Sequence, residues 1–206
     1  MEAIDKLKAI LEKEYMNHRF KIDKCQNEIP EMLRLCYESE VKKRGMNYNE
    51  VDIKDYLNKV STWLLEAKKT GLFLYGSVGN GKTTMILAIK KLIEILYLGQ
   101  FGVQIISSLT LSELVRNDET NFNLIKKSYL LAIDDVGCEP STVKNYGNEL
   151  SPLTDIIYYR YDKQLFTLIT SNLDKKDIEI KYGVRISDRM NEMFDFIAFT
   201  NKTYRK

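Results

Sequence analysis

The 206-residue chain is 44% hydrophobic and 29% charged, and its 31 Lys and Arg against 29 Asp and Glu leave a formal net charge of +2. That length supports one α/β domain with a sizeable core and a short appendage, in the composition of an ordinary soluble globular protein. No run approaches the roughly 18–20 apolar residues of a membrane span, and the balanced charge restricts any nucleic-acid contact to a local patch.

The first 70 residues read as helices. Met1-Glu2-Ala3-Ile4-Asp5-Lys6 carries acids where a secretory leader would be apolar, so a cytoplasmic chain without membrane contact is expected. Ile4, Leu7, Ile10 and Leu11 recur at helical spacing, a stripe that would pack on its own domain or on a partner helix. Lone His18 belongs to no ligand pattern. A second helix starts near Pro30 and carries Met32, Leu33, Leu35, Cys36 and Tyr37, and Arg44-Gly45-Met46-Asn47 reads as a turn. A third runs from about Val51 to Lys69, with Tyr56, Leu57, Val60, Trp63 and Leu64 on one face. Cys25, Cys36 and Cys138 are odd in number and widely spaced, which fits reduced thiols rather than a disulfide framework or a zinc site.

After Gly71 the pattern changes, and the chain divides into a helical region (1–70) and a strand–helix core (71–206). Strands are expected at Leu72–Tyr75, Val103–Ile106, Tyr129–Ile133, Phe166–Thr170 and Phe194–Phe199. Helices are expected near Lys82–Tyr97, Leu111–Arg116, Leu150–Tyr161 and Ile186–Met193. The alternation implies βαβ units and a five-stranded parallel sheet covered on both faces.

The first strand runs into Gly76-Ser77-Val78-Gly79-Asn80-Gly81-Lys82-Thr83-Thr84, which fits the P-loop pattern at every fixed position. Glycines let backbone N–H groups turn inward around phosphate oxygens, and the following helix aims its positive end at the same anion. Lys82 would reach the β- and γ-phosphates, and the Thr83 hydroxyl would ligate Mg²⁺. Such a loop does not by itself separate kinases, GTPases and ATPases. A small-molecule kinase would also need a substrate pocket and a closing lid, and no segment supplies them.

The third strand ends in Asp134-Asp135. Asp134 would hold Mg²⁺, and Asp135 would orient and deprotonate the attacking water. Many ATPases carry Glu at the second position, so the shorter Asp135 predicts slow turnover. The fourth strand ends in Ser171-Asn172, and Asn172 is placed to hydrogen-bond the γ-phosphate or the lytic water. The alternative for these residues is a plain loop. Tyr158-Tyr159-Arg160-Tyr161 would either stack on bases or pack an aromatic face on the sheet, with Arg160 available to a neighbouring subunit. Arg185 and Arg189 lie one helical turn apart. Their spacing alone reads as an exposed charged helix, with Asp188 as ion-pair partner.

Taken in order, Leu131–Glu139, Arg160-Tyr161, Thr170–Leu173 and Arg185–Met190 resemble bacterial and phage helicase loaders of the DnaC/DnaI type, and the transposition helper IstB shares these motifs. The resemblance covers Gly71 to the last residue. It implies an AAA+ initiator-clade core without a C-terminal lid, ATP and Mg²⁺ as ligands, and nucleotide-dependent self-assembly with a composite active site. It also implies contact with single-stranded DNA and delivery of a hexameric replicative helicase. The arginine finger of the family falls on Arg189, with Arg185 as a further phosphate contact in place of the lid's sensor. The N-terminal region, where the family grips its partner, carries no recognised partner motif. A transposase as client, or an adaptor that uses nucleotide for shape with incidental hydrolysis, are the alternatives.

Overall fold

The computed structural model describes residues 4–8, 19–145 and 148–201. Residues 4–8 are helical, with Ile4 and Leu7 exposed. Ile10, Leu11 and His18 lie outside the described residues, as does the remainder of that stripe.

The helical region forms α1 (Ile29–Lys43) and α2 (Glu50–Glu66), joined by the expected turn. Gly45 adopts φ +67° there, and the N–H groups of Arg44, Gly45 and Met46 close onto the last carbonyls of α1. The Asn49 side chain caps α2 by accepting from the Val51 N–H at 3.1 Å, which satisfies a donor that the helix leaves open.

The sheet contains β1 (Gly71–Gly76), β2 (Gln104–Ser107), β3 (Leu130–Val136), β6 (Phe166–Ser171) and β7 (Phe194–Phe199). Their order is β2-β3-β6-β1-β7, and every pairing is parallel. The five-stranded parallel sheet is therefore as expected. Between the strands lie α3 (Lys82–Leu96), α4 (Ser108–Asn117), α5 (Glu119–Lys126), α6 (Pro152–Asp162), α7 (Lys175–Tyr182) and α8 (Val184–Met193). A short antiparallel hairpin, β4 (Val143–Asn145) and β5 (Asn148–Leu150), precedes α6. The hairpin, α5 and α7 were not expected, and Leu150 belongs to the hairpin rather than to the next helix. The α7 signal is a capping box, Asp174 and Asp177 exchanging bonds with each other's backbone N–H, at the head of a strongly polar eight-residue helix.

Alternation along the strands splits the core in two. Leu72, Leu74, Ala132 and Leu168 face one side, where α1, α2 and α3 supply Leu33, Tyr37, Val60, Leu64, Ile86 and Ile89. Phe73, Leu131, Ile133 and Ile169 face the other, covered by α4 to α8. The change of pattern near residue 70 is thus not a break in packing. Lys91 of α3 reaches Ser39 Oγ of α1 at 2.6 Å and the Glu40 carboxylate at 3.6 Å.

Arg160 is fully buried. Its guanidinium donates to Thr167 Oγ1 (2.8 Å), Lys126 O (3.0 Å), Ser128 O (2.7 Å) and Phe166 O (2.6 Å). It ties the end of α5 to the starts of β3 and β6, so it is not available to a neighbouring subunit. Tyr158 and Tyr161 pack half-buried against the second core cluster. Among the described residues no helix is long and apolar enough to cross a membrane.

Candidate functional site

The loop between β1 and α3 is shaped by its glycines. Gly76, Gly79 and Gly81 adopt φ of +137°, +82° and +98°, in the region that favours glycine. A Cβ at Gly76 would lie 2.1 Å from the Phe199 carbonyl oxygen, so a side chain there is sterically barred. Asn80 is buried; it donates to that same Phe199 oxygen at 2.8 Å, and Asn201 donates to Asn80 O at 3.0 Å. The loop is therefore pinned to the end of β7, while Ser77 and Val78 at its crest face solvent.

Lys82 is buried at the first position of α3. Its ammonium donates to Gly76 O (2.7 Å), Ser77 O (2.8 Å), Asn80 Oδ1 (3.2 Å) and Asn172 Oδ1 (3.0 Å). These oxygens hold the ammonium next to a helix N-terminus, an arrangement suited to an anion.

The acidic strand carries an irregularity that sequence patterning does not reveal. The register of β3 against β6 shifts between Ile133 and Val136, and Asp135 sits in that bulge at φ +57°. Such a bulge re-aims side chains. Asp134 turns toward the loop and accepts from the Thr83 hydroxyl at 3.0 Å and from the Thr170 hydroxyl. Thr170 in turn accepts from the Asp135 N–H at 2.9 Å, and Ser108 Oγ donates to Asp135 O at 2.7 Å. Asp135 itself is exposed at the mouth. Because β6 lies between β1 and β3, Asn172 emerges between the loop and the acids, as expected from the order of motifs.

The segment after β3 is clamped. The buried Glu139 carboxylate accepts from Gly137 N–H (2.8 Å) and from the Tyr182 hydroxyl. Lys181 donates to Gly137 O (2.6 Å) and Glu139 O (2.7 Å). Burial, and then the bond to Glu139, pushes the Tyr182 hydroxyl well above the ordinary tyrosine range. Burial and the neighbouring Asp135 and Glu139 also raise the Cys138 thiol, which keeps this exposed cysteine protonated.

A cavity of about 580 Å³ opens over the loop. One wall comprises Asp134, Asp135 and Asn172; the other is the α1–α2 junction, with Tyr37, Val41, Arg44, Met46 and Tyr48. Sequence reasoning missed that second wall and Thr170. The turn at Arg44–Asn47 was legible, but not that it folds over a loop some 35 residues away.

Arg185 and Arg189 are not part of this cavity. Both lie on α8, where Arg185 is exposed and Arg189 half-buried. The Arg189 guanidinium lies 4.4 Å from the Tyr158 ring centre and 5.6 Å from that of Tyr161, an aromatic contact rather than the ion pair with Asp188 that the plain charged-helix alternative offered. Among the described residues no group of three or more His, Cys, Asp or Glu gathers as a metal site. Thr83 with Asp134 is the sparse donor set that Mg²⁺ takes when phosphate and water complete its shell.

Fold and site together define an α/β domain with a five-stranded parallel sheet and a P-loop at the end of its first strand. No family model matches the chain. It is 29% identical over 163 residues to the replicative helicase loader DnaI of Bacillus subtilis (strain 168), an alignment covering 70% of this chain. The chain spans about half of that relative, 49% of its length. The crystal structure of DnaI superposes with a TM-score of 0.58 at 24% identity, over 73% of this chain and 83% of that one. The DnaC helicase loader gives 0.58 at 21%, over 75% and 93%. AMPPCP-bound DnaA from Aquifex aeolicus gives 0.52 at 20%, over 78% and 50%. Over roughly three-quarters of its length the chain is thus similar to helicase loaders of the DnaC and DnaI type.

Proposed function

We propose that this chain is a Mg²⁺-dependent ATPase that delivers a hexameric replicative helicase to single-stranded DNA. The observation that carries the reading is the cluster at the start of α3. There Lys82 meets Asn172 and Thr83 meets Asp134, in a cavity walled by the acidic strand, within a fold shared with helicase loaders. Gly76 to Thr84 wrap the phosphates with backbone N–H groups, and Lys82 leaves its present carbonyl acceptors for the β- and γ-phosphates. Thr83 and Asp134 would hold Mg²⁺, which would supply charge neutralisation at the phosphates. Asp135 takes the proton of the attacking water, and Asn172 aligns that water or the terminal phosphate.

Arg189 and Arg185 supply charge from a neighbouring copy, in keeping with their place on α8 outside the cavity. Such an arginine accelerates phosphoryl transfer by roughly 10³–10⁵-fold in related chemistries. Assembly is then a population shift, since ATP binds the assembled state more tightly than the free one.

The decisive experiment is co-elution of the protein with the replicative helicase of its host, with ATP and without. A complex that depends on ATP is expected. Failure to form one in either condition overturns the loader reading and directs the test to a transposase, with the ATPase core intact. The Asp135→Asn variant separates motor from adaptor, because loading that persists without hydrolysis would make turnover incidental.

A further inference from the structure

We infer that Arg44 is a phosphate-contacting residue of this site, acting from the helical region on a phosphate that ATP and ADP share. The inference rests on the nucleotide reading above and adds a residue that neither the loop pattern nor the resemblance assigns.

Arg44 closes α1, and its Nη1 donates to the Thr84 hydroxyl at 2.7 Å across 40 residues of sequence. It lines the same cavity as Lys82 and Asp134. Its natural counter-charge would be Glu40, one turn earlier on the same helix. That carboxylate is already engaged by Lys43 at 2.7 Å and by Lys91 at 3.6 Å. Among the described residues no carboxylate lies within ion-pair distance of the Arg44 guanidinium. A cation whose helical partner is occupied elsewhere, anchored by one neutral hydroxyl beside a phosphate loop, is poised for an anion.

The geometry also says which part of the nucleotide it meets. Three consecutive residues at the start of α3 reach in different directions: Lys82 to Asn172, Thr83 to Asp134, and Thr84 to Arg44. The first two contacts lie at the carboxyl ends of β6 and β3, where the terminal phosphate and metal belong. Thr84 faces the opposite wall, built by the α1–α2 junction. A polyphosphate laid along the loop with its terminal group at Lys82 brings an inner phosphate to Thr84 and Arg44. Guanidinium is suited to that task, because its fork can bond one phosphate through two N–H groups while keeping the Thr84 contact.

Calorimetric titration of the full chain with ATP and with ADP, in the presence of Mg²⁺, tests this. Arg44→Ala should weaken both nucleotides by the same factor, roughly 10- to 100-fold, which is the usual effect of losing a charge-assisted bond. Arg44→Lys should recover part of the loss, since it restores charge without the fork. In steady-state hydrolysis KM should rise while kcat holds, the pattern of lost uniform binding. Wild-type affinity in Arg44→Ala would overturn the inference, and a loss confined to ATP would overturn the assignment to a shared phosphate. If the wild-type chain binds neither nucleotide, the site reading itself fails, and the inference with it. Thermal unfolding of the variants should match wild type, because Arg44 is exposed and its side chain makes a single hydrogen bond.

Discussion

Replacing Thr170 by Val tests whether the acidic strand is positioned by a hydroxyl or merely by packing. Thr170 is fully buried, and its Oγ1 donates to the Asp134 carboxylate while accepting from the Asp135 N–H. Valine keeps the volume and the β-branch but deletes both bonds. Loss of a bond to a charged group costs roughly 1.5–3 kcal/mol, and a partly buried N–H left without its acceptor adds up to about 1 kcal/mol. The two losses share one atom and are not additive, so a total of about 3 kcal/mol is expected. For a domain of this size that lowers the midpoint of thermal unfolding by roughly 6–12 °C.

Thr170→Ser is the matched control. It keeps the hydroxyl and removes one buried methyl, at a cost of about 1 kcal/mol or a few degrees. Thermal unfolding followed by far-ultraviolet circular dichroism ranks the three proteins as wild type, then Ser, then Val. A Val variant as stable as the Ser variant, or more so, would refute the argument, since packing alone would then hold the strand. The same ranking should hold for hydrolysis, because a displaced Asp135 no longer faces the water it is proposed to activate.

Two further outcomes are expected. Arg160→Met leaves the carbonyls of Lys126, Ser128 and Phe166 without their donor and should cost at least about 3 kcal/mol; an unchanged urea midpoint would show those carbonyls to be satisfied otherwise. Tyr182→Phe addresses alkaline stability. The folded-state pKa of Tyr182 is raised, so above pH 10 the native protein keeps a proton that the unfolded chain releases, and stability falls as pH rises. The advantage of wild type over Tyr182→Phe should therefore be full at pH 8 and shrink between pH 10 and 11, read as the difference in urea midpoints; a constant difference would refute the linkage.

The legible part of the site was the part dictated by backbone chemistry. A phosphate loop demands glycine where φ is positive, and Gly76, Gly79 and Gly81 occupy just such positions, so their spacing carries the structure with it. The order of the strand ends was enough to put Asn172 between Lys82 and Asp134. Contacts that depend on one side chain meeting another across the fold were not legible. Nothing in a threonine within an apolar strand announces that Thr170 bonds an acid 36 residues earlier. Arginine 160 was legible only as a charge beside tyrosines, and on such a helix exposure is the ordinary expectation. Its burial depends on carbonyls at the ends of three other elements, which no local pattern encodes. The β4–β5 hairpin has strands of three residues, too short for an alternation to register.

The packing of α1 on α3, with α2 against α1 and β7, also restricts how the helical region could be exchanged. A recognition module joined by a loose tether can be exchanged whole between relatives. Here a hybrid spliced near residue 70 would inherit a foreign lining against Leu72, Leu74, Ile86 and Ile89, all fully buried. It would disturb the cavity over the phosphate loop as well, since Tyr37 and Arg44 belong to its wall. New specificity is more readily acquired by point changes on the outward side, at positions such as Leu35 and Val51, which face solvent. Inward neighbours such as Leu33 and Val60 are held by the core. Diversification along a lineage would then proceed residue by residue on the outward helical surface, with the phosphate-loop core and its lining inherited as a unit.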